Sequence, residues 1–167
     1  MSIENLSSQN AIEKIKELAK KESTCIFTTA LTELPLAGTP MNTIQVDDDG
    51  SLWFFSNRNS TRNSNIEKDN RVQLFFSNSS SYEFLSLFGT AQIRIDKAKA
   101  KEMWMPIVKT YFQGGVDDPD LTIIKVTPHE AHYWDTKNNK LVALAKMVAG
   151  IVTGKTMDDG REGTLML

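Results

Sequence analysis

A single cysteine, Cys25, stands in the 167 residues, so no internal disulfide can form and a reducing compartment is expected. No apolar run approaches the ~20 residues of a membrane helix. Met1 to Asn10 lacks a basic segment followed by an apolar stretch, so no secretory leader is expected. Basic excess is missing too. Lys and Arg total 19 against 21 Asp and Glu, a formal charge of −2, where a nonspecific nucleic-acid binder carries the opposite balance. Histidine is scarce: His129 and His132, three apart with Glu130 between, face opposite ways in a strand and have no cysteine cluster to join, so no metal site is expected. Neither a Walker lysine loop nor a Gly-x-Gly-x-x-Gly is present. Repeats and low-complexity tracts are absent.

What is present is ordinary globular composition, 40% hydrophobic and 24% charged. One cytoplasmic domain over residues 1–167 is expected, with no membrane or nucleic-acid partner. The spacing of Ile12, Ile15, Leu18 and Ala19 predicts an amphipathic helix over 10–21, within an N-terminal helical segment 1–22. β-branched and aromatic runs then predict strands at 24–31, 41–46, 51–56, 71–77, 84–95 and 121–127, with 131–135 extending or following the last. Asp47-Asp-Asp-Gly50 marks a hairpin, and Gly89 inside its strand marks a bulge or a close backbone approach. A short helix is expected around Ile66 and another from Lys97 to Trp104 capped by Asp96, with a break at Pro106. Residues 141–152 fit a helix or a strand equally, inside a C-terminal extension 137–167. Six short strands and few helices predict a mainly β fold, an antiparallel sheet or barrel with peripheral helices.

Few residues offer chemistry. Cys25 sits in an apolar strand, where it reads as a small buried hydrophobe. The stretch from Trp53 to Arg62 carries more. A strand of three consecutive aromatics runs into Ser56, then Ser60 and Arg62 open a helix. Two hydroxyls, a guanidinium and free helix N–H groups suit a phosphate, and the aromatics beside them suit a planar ring. A solvated connection capped by Ser60, with Arg62 on the surface, accounts for the same residues.

Pro40-Met41, the Asp47–Gly50 hairpin, Leu52-Trp-Phe-Phe-Ser56, Ser60-x-Arg62 and Asn70-Arg-Val resemble the pyridoxamine 5′-phosphate oxidase-like flavin proteins. Phe88-Gly-Thr-Ala91, Asp96, Met103-Trp-Met-Pro106, Tyr111-Phe, Gly115-Val-Asp-Asp-Pro119, Ala131-His-Tyr-Trp-Asp135, Gly154-Lys and Gly160-Arg-Glu-Gly-Thr resemble the bacterial general stress protein 26 group within it. The resemblance runs in one order along nearly the whole chain. It implies a six-stranded antiparallel split β-barrel, homodimeric, with FMN at the subunit interface. Met41 and Asn42 would lie along the flavin, Phe54 and Phe55 would flank its ring and ribityl chain, and Ser56, Ser60 and Arg62 would hold its phosphate. Trp134 matches an aromatic near the cofactor, whereas Trp104 is expected to pack its helix on the barrel.

The departures bear on function. Thr39 stands where family members commonly carry arginine before Pro-Met, Ile44 where the dedicated oxidases have lysine, and Phe84 where they have glutamine. Their basic C-terminal substrate segment is missing. The resemblance therefore implies an FMN-binding general stress protein, in enzyme form a flavin-dependent oxidoreductase without an identified substrate or catalytic residue, and not a dedicated pyridoxamine phosphate oxidase. FAD or a deazaflavin, a non-catalytic flavin carrier or sensor, and a cofactor-free barrel serving as an interaction module remain the alternatives.

Overall fold

The structure, a computed structural model, describes residues 2–136 and 160–167. In chain order the elements are β1 (Ser2–Ile3), β2 (Leu6–Ser7), α1 (Ser8–Lys21), β3 (Thr24–Thr29), β4 (Ala37–Asn42), β5 (Gln45–Val46) and β6 (Leu52–Asn57). There follow α2 (Thr61–Lys68), β7 (Arg71–Asn78), β8 (Glu83–Arg94), α3 (Lys97–Glu102), β9 (Leu121–Thr136) and β10 (Gly160–Met166). Two short 3-10 turns, Pro106–Thr110 and Gly115–Asp117, lie between α3 and β9. The expectation for residues 141–152 falls outside the described residues.

The sheet runs β4-β3-β7-β8-β9-β10-β1, with β2 also on β10, and β6 on the first half of β9 with β5 at its side. The class is mainly β, as expected, but the described strands number ten rather than six and the sheet is mixed. The extra strands have local causes. β1 and β2 are two-residue pieces running parallel to β10, so the expected helical segment 1–22 is helical only from Ser8 and its first residues join the sheet edge instead. The expected strand 41–46 divides into the end of β4 and β5, because the chain changes partners there: Thr43 N–H donates to Ser23 and Ile44 N–H to Trp53. Residues 121–136 form one strand, since β9 pairs with β8 along its length and a register shift at Phe88/Gly89 absorbs the irregularity. A side chain at Gly89 would collide with the Thr127 carbonyl and with Pro128, so glycine is required where β8 and β9 close on each other. β4 and β6 share no ladder, and the barrel is split along that seam.

Two apolar clusters hold the sheet. The inner one joins the face of α1 carrying Ala11, Ile15, Leu18 and Ala19 to Phe27, Leu52, Phe54, Leu74, Leu87, Ile124 and Tyr133. The outer one places Ala100, Met103, Val108 and Phe112 against Trp53, Leu121 and Ile123, with Phe55 and Trp104 at its margin. β6 is therefore covered on both sides, Leu52, Phe54 and Ser56 turning inward and Trp53 and Phe55 outward.

Candidate functional site

The inward side of β6 ends at Ser56, and the chain turns through 58–60 into α2. Ser60 caps that helix, its Oγ accepting from the Asn63 N–H at 3.2 Å. The cap brings Arg62 and Asn63 back over the end of β6. Arg62 Nη2 donates to Ser56 Oγ at 2.8 Å, and Ser56 Oγ donates to Asn63 Oδ1 at 2.7 Å. Ser60 Oγ lies 3.4 Å from Ser56 Oγ. Behind them Asn63 Nδ2 donates to Thr122 Oγ1 at 3.0 Å, and Thr122 Oγ1 donates to the Ser56 carbonyl at 2.8 Å. On the next turn Asn65 Nδ2 donates to Thr29 Oγ1 at 3.0 Å, tying α2 to β3. Ser56, Asn63 and Thr122 are buried, so this network fixes the hydroxyls before any ligand arrives.

Arg62 is the anomaly. It is half-buried, and burial alone holds its guanidinium below the ordinary arginine value. No carboxylate among the described residues pairs with it, and its Nε is buried with no hydrogen-bond partner. Partly burying a cation without a counter-charge costs stability. A guanidinium anchored by one hydroxyl, with an orphaned N–H and a second hydroxyl alongside, is a donor set for an anion. A phosphate fits it. No group in the cluster is arranged as a nucleophile, acid or base.

The other expected residues are distributed unevenly. Met41 is half-buried against the inner cluster, opposite Cys25 in the ladder. Asn42 is exposed, its Oδ1 accepting from Thr24 Oγ1 at 2.9 Å. Phe55 is half-buried and meets Trp104 edge to face with ring centroids 5.7 Å apart. Trp104, two residues past the end of α3, thus packs on the outer cluster. Phe54 is fully buried in the inner cluster, its ring edge-on to Phe27 at 5.2 Å. Trp134 is also placed apart. It sits at the far end of β9 from Thr122, up to about 40 Å away along a straight strand. Its face is the outer one, its ring tilted by 57° to that of His132 with centroids 4.6 Å apart. Thr39 pairs with Phe27 and is exposed at the seam, so it looks to the same side as Phe54 and Ser56.

Asn63 and Thr122 were missed from the sequence. Asn63 could have been found, three residues after the Ser60 cap, where a side chain returns toward the cap. Thr122 carried no local signal. Among the described residues no group of three His, Cys, Asp or Glu could hold a metal, and no helix is long and apolar enough to cross a membrane.

A family model described as pyridoxamine 5′-phosphate oxidase like matches residues 10–158. The protein bli-3 of Neurospora crassa is 29% identical over 112 residues, covering 62% of this chain and 54% of that protein. This chain thus spans about half the length of that fungal relative. In fold, it superposes on a protein described as general stress protein 26 from Jannaschia sp. CCS1 with a TM-score of 0.79, at 20% identity over 96% of this chain and 100% of the other. The general stress FMN/FAD binding protein of Xanthomonas citri gives 0.67, at 24% identity over 79% and 93%. These two likenesses are of fold.

Proposed function

This chain belongs to the pyridoxamine 5′-phosphate oxidase like family, and from that premise we propose that it binds flavin mononucleotide in a groove completed by a second copy of itself. The observation that carries this reading is Arg62, a half-buried guanidinium with an orphaned Nε and no counter-charge, beside the fixed hydroxyl of Ser56 and that of Ser60. One guanidinium, anchored by Ser56, and the Ser60 hydroxyl match one phosphate group, which favours the mononucleotide over FAD or a deazaflavin cofactor with a longer anionic tail. When bound, the flavin supplies two-electron redox chemistry, and the protein supplies binding and orientation. Met41 and Asn42 on β4 and Phe55 on β6 border the two sides of the seam that the ring would occupy.

The second copy follows from the outer sheet face. Pro40, Ile26 and Phe75 lie side by side across β4, β3 and β7, and Phe84 and Trp134 pair on β8 and β9. Ile26 is 46% and Phe75 44% exposed, and nothing among the described residues covers them. A second sheet seated there would bury this apolar strip and carry Trp134 toward the partner's groove, the one way that residue joins the site. The activity proposed is a flavin-dependent oxidoreductase of the general stress type, working in the cytoplasm. Ile44 and Phe84, both apolar, leave it unsuited to a second phosphate, so it is not proposed as a pyridoxamine phosphate oxidase.

The visible absorption spectrum of the purified protein, followed by titration with FMN, tests the cofactor, and light scattering tests the pairing. Saturable flavin binding by a particle of twice the chain mass is expected. Failure to bind flavin refutes the first reading, and a monomer at micromolar concentration refutes the shared groove.

A further inference from the structure

A pocket of about 740 Å³ opens between α2, the end of β8 and the start of β9, its lining taking in Asn63 and Thr122 from the network behind Ser56. Its apolar wall is Ile66 from α2 with Ile93 from β8 and Ile95 just beyond that strand. Two arginines, Arg58 and Arg94, are part of its lining. Neither forms an ion pair among the described residues. The Arg58 backbone is anchored by its N–H to the Asp120 carbonyl at 2.7 Å. Arg94 Nη2 donates to Gln92 Oε1 at 2.9 Å, and its guanidinium lies 5.9 Å from the Trp53 ring. That bond uses the oxygen of Gln92, a lining residue, and not its amide N–H₂. Glu67 is the one carboxylate in the lining, so two positive charges face one negative.

A smaller cavity of about 270 Å³ adjoins it and shares both arginines. Three aspartates line that part, and each is committed. Asp96 caps α3 through the Lys99 N–H at 2.9 Å, and Asp117 pairs with Lys97 at 2.7 Å. Asp118 accepts from the Gly114 N–H at 2.9 Å and the Asp120 N–H at 3.0 Å. The arginines have no such engagement. An open pocket of this size, with an apolar wall and two arginines in its lining, suits a small molecule.

We infer that this cavity binds a small organic anion, a carboxylate or phosphate carried on an apolar ring or chain, with Arg58, Arg94 and Gln92 on the anionic end and Ile66 and Ile93 against the apolar one. The site shares Asn63 and Thr122 with the network behind Ser56 but takes in none of Ser56, Ser60 and Arg62, and it is tested without flavin.

The test is titration of the isotope-labelled full chain, without flavin, followed by amide chemical shifts. Phenyl phosphate and benzoate distinguish phosphate from carboxylate, and benzyl alcohol is the neutral counterpart. Saturable shifts at Ile66, Ile93 and Ile95 with one or both anions, and none with the alcohol, are expected. Arg58→Gln and Arg94→Gln should each weaken binding about three- to tenfold, the worth of one partly exposed charge-assisted hydrogen bond. Arg94→Lys should recover part of the loss. Arg71→Gln removes a cation already paired with Asp69 at 2.6 Å and should leave affinity unchanged. Shifts confined to Ser56, Ser60 and Arg62 would place the anion in the flavin-phosphate cluster and overturn the inference. So would equal affinity for benzyl alcohol, or unchanged affinity in both Arg→Gln proteins with their amide spectra intact.

Discussion

Replacing Arg62 with alanine separates a phosphate-binding role from a structural one. In the ligand-free protein the substitution removes one hydrogen bond, from Nη2 to Ser56 Oγ at 2.8 Å. It also removes a half-buried charge whose Nε has no partner. Losing a charge-assisted bond costs about 1.5–3 kcal/mol, and relieving an unsatisfied buried donor returns about 1–3 kcal/mol. Ser56 keeps its bond to Asn63. The two effects cancel to within about 1 kcal/mol, so the melting temperature of Arg62→Ala should move by a few degrees at most. The loss should appear on ligand binding instead. Without its guanidinium the phosphate forfeits about 1.5–3 kcal/mol, roughly a ten- to hundredfold drop in FMN affinity. Riboflavin has the same ring and ribityl chain without phosphate, so its affinity should hardly change. Fluorescence titration with both ligands reads the difference directly. Equal losses for FMN and riboflavin, or a collapse in thermal stability, would refute the assignment of Arg62 to phosphate.

Thr39→Arg should tighten FMN binding, with a gain that shrinks as salt rises, because position 39 is exposed at the seam on the same side as Ser56; titration at two ionic strengths reads this, and an unchanged or weaker variant would show that the side chain does not reach the phosphate. Pyridoxamine 5′-phosphate should not be turned over with FMN supplied, since Ile44 and Phe84 offer no charge to a second phosphate; turnover at an oxidase's rate would refute that reading. Asp135→Asn should destabilise the fold by about 3 kcal/mol in urea unfolding, because it strips the buried Lys14 ammonium of a partner at 2.7 Å and Arg161 of one at 2.7 Å. Burial pulls Lys14 down, but hydrogen bonds to Asp135 and Glu17 outweigh it, and the net value lies above the ordinary 10.5. A raised folded-state value stabilises below pH 10.5 and is lost above it, so wild type should weaken in strong alkali and Asp135→Asn should lose less there. Cys25, buried and with its thiol pushed up to about 12, should resist alkylation at pH 8 until the protein unfolds; rapid labelling of the native protein would contradict its place in the core.

Residues near one another in sequence were the legible ones. Ser56, Ser60 and Arg62 are brought together by a strand end and one capped helical turn, geometry that spacing alone dictates. Gly89 was legible for a similar reason, since a glycine within an aromatic strand has to admit a neighbouring backbone. α1 was read within two residues at its start, from its apolar spacing.

What failed did so where tertiary neighbours decide. Period-two alternation told which residues of β6 share a face, but not that both faces are already occupied. The run Trp53-Phe54-Phe55 looked like a wall for a ligand ring, yet α3 covers one side and Phe27 meets the other. The composition of a strand covered by core on one face and helix on the other is indistinguishable from that of a strand lining a pocket. Charge resolves the ambiguity where hydrophobicity cannot. A buried aromatic is content without a ligand, whereas a half-buried guanidinium lacking a carboxylate is not. The proposed occupant of the seam is therefore read from Arg62 rather than from its aromatics. By the same reasoning, aromatic substitutions on β6 divide by facing. Phe54→Leu should register in stability and Phe55→Leu in the contact with Trp104, and neither should mimic the selective loss of phosphate affinity assigned to Arg62.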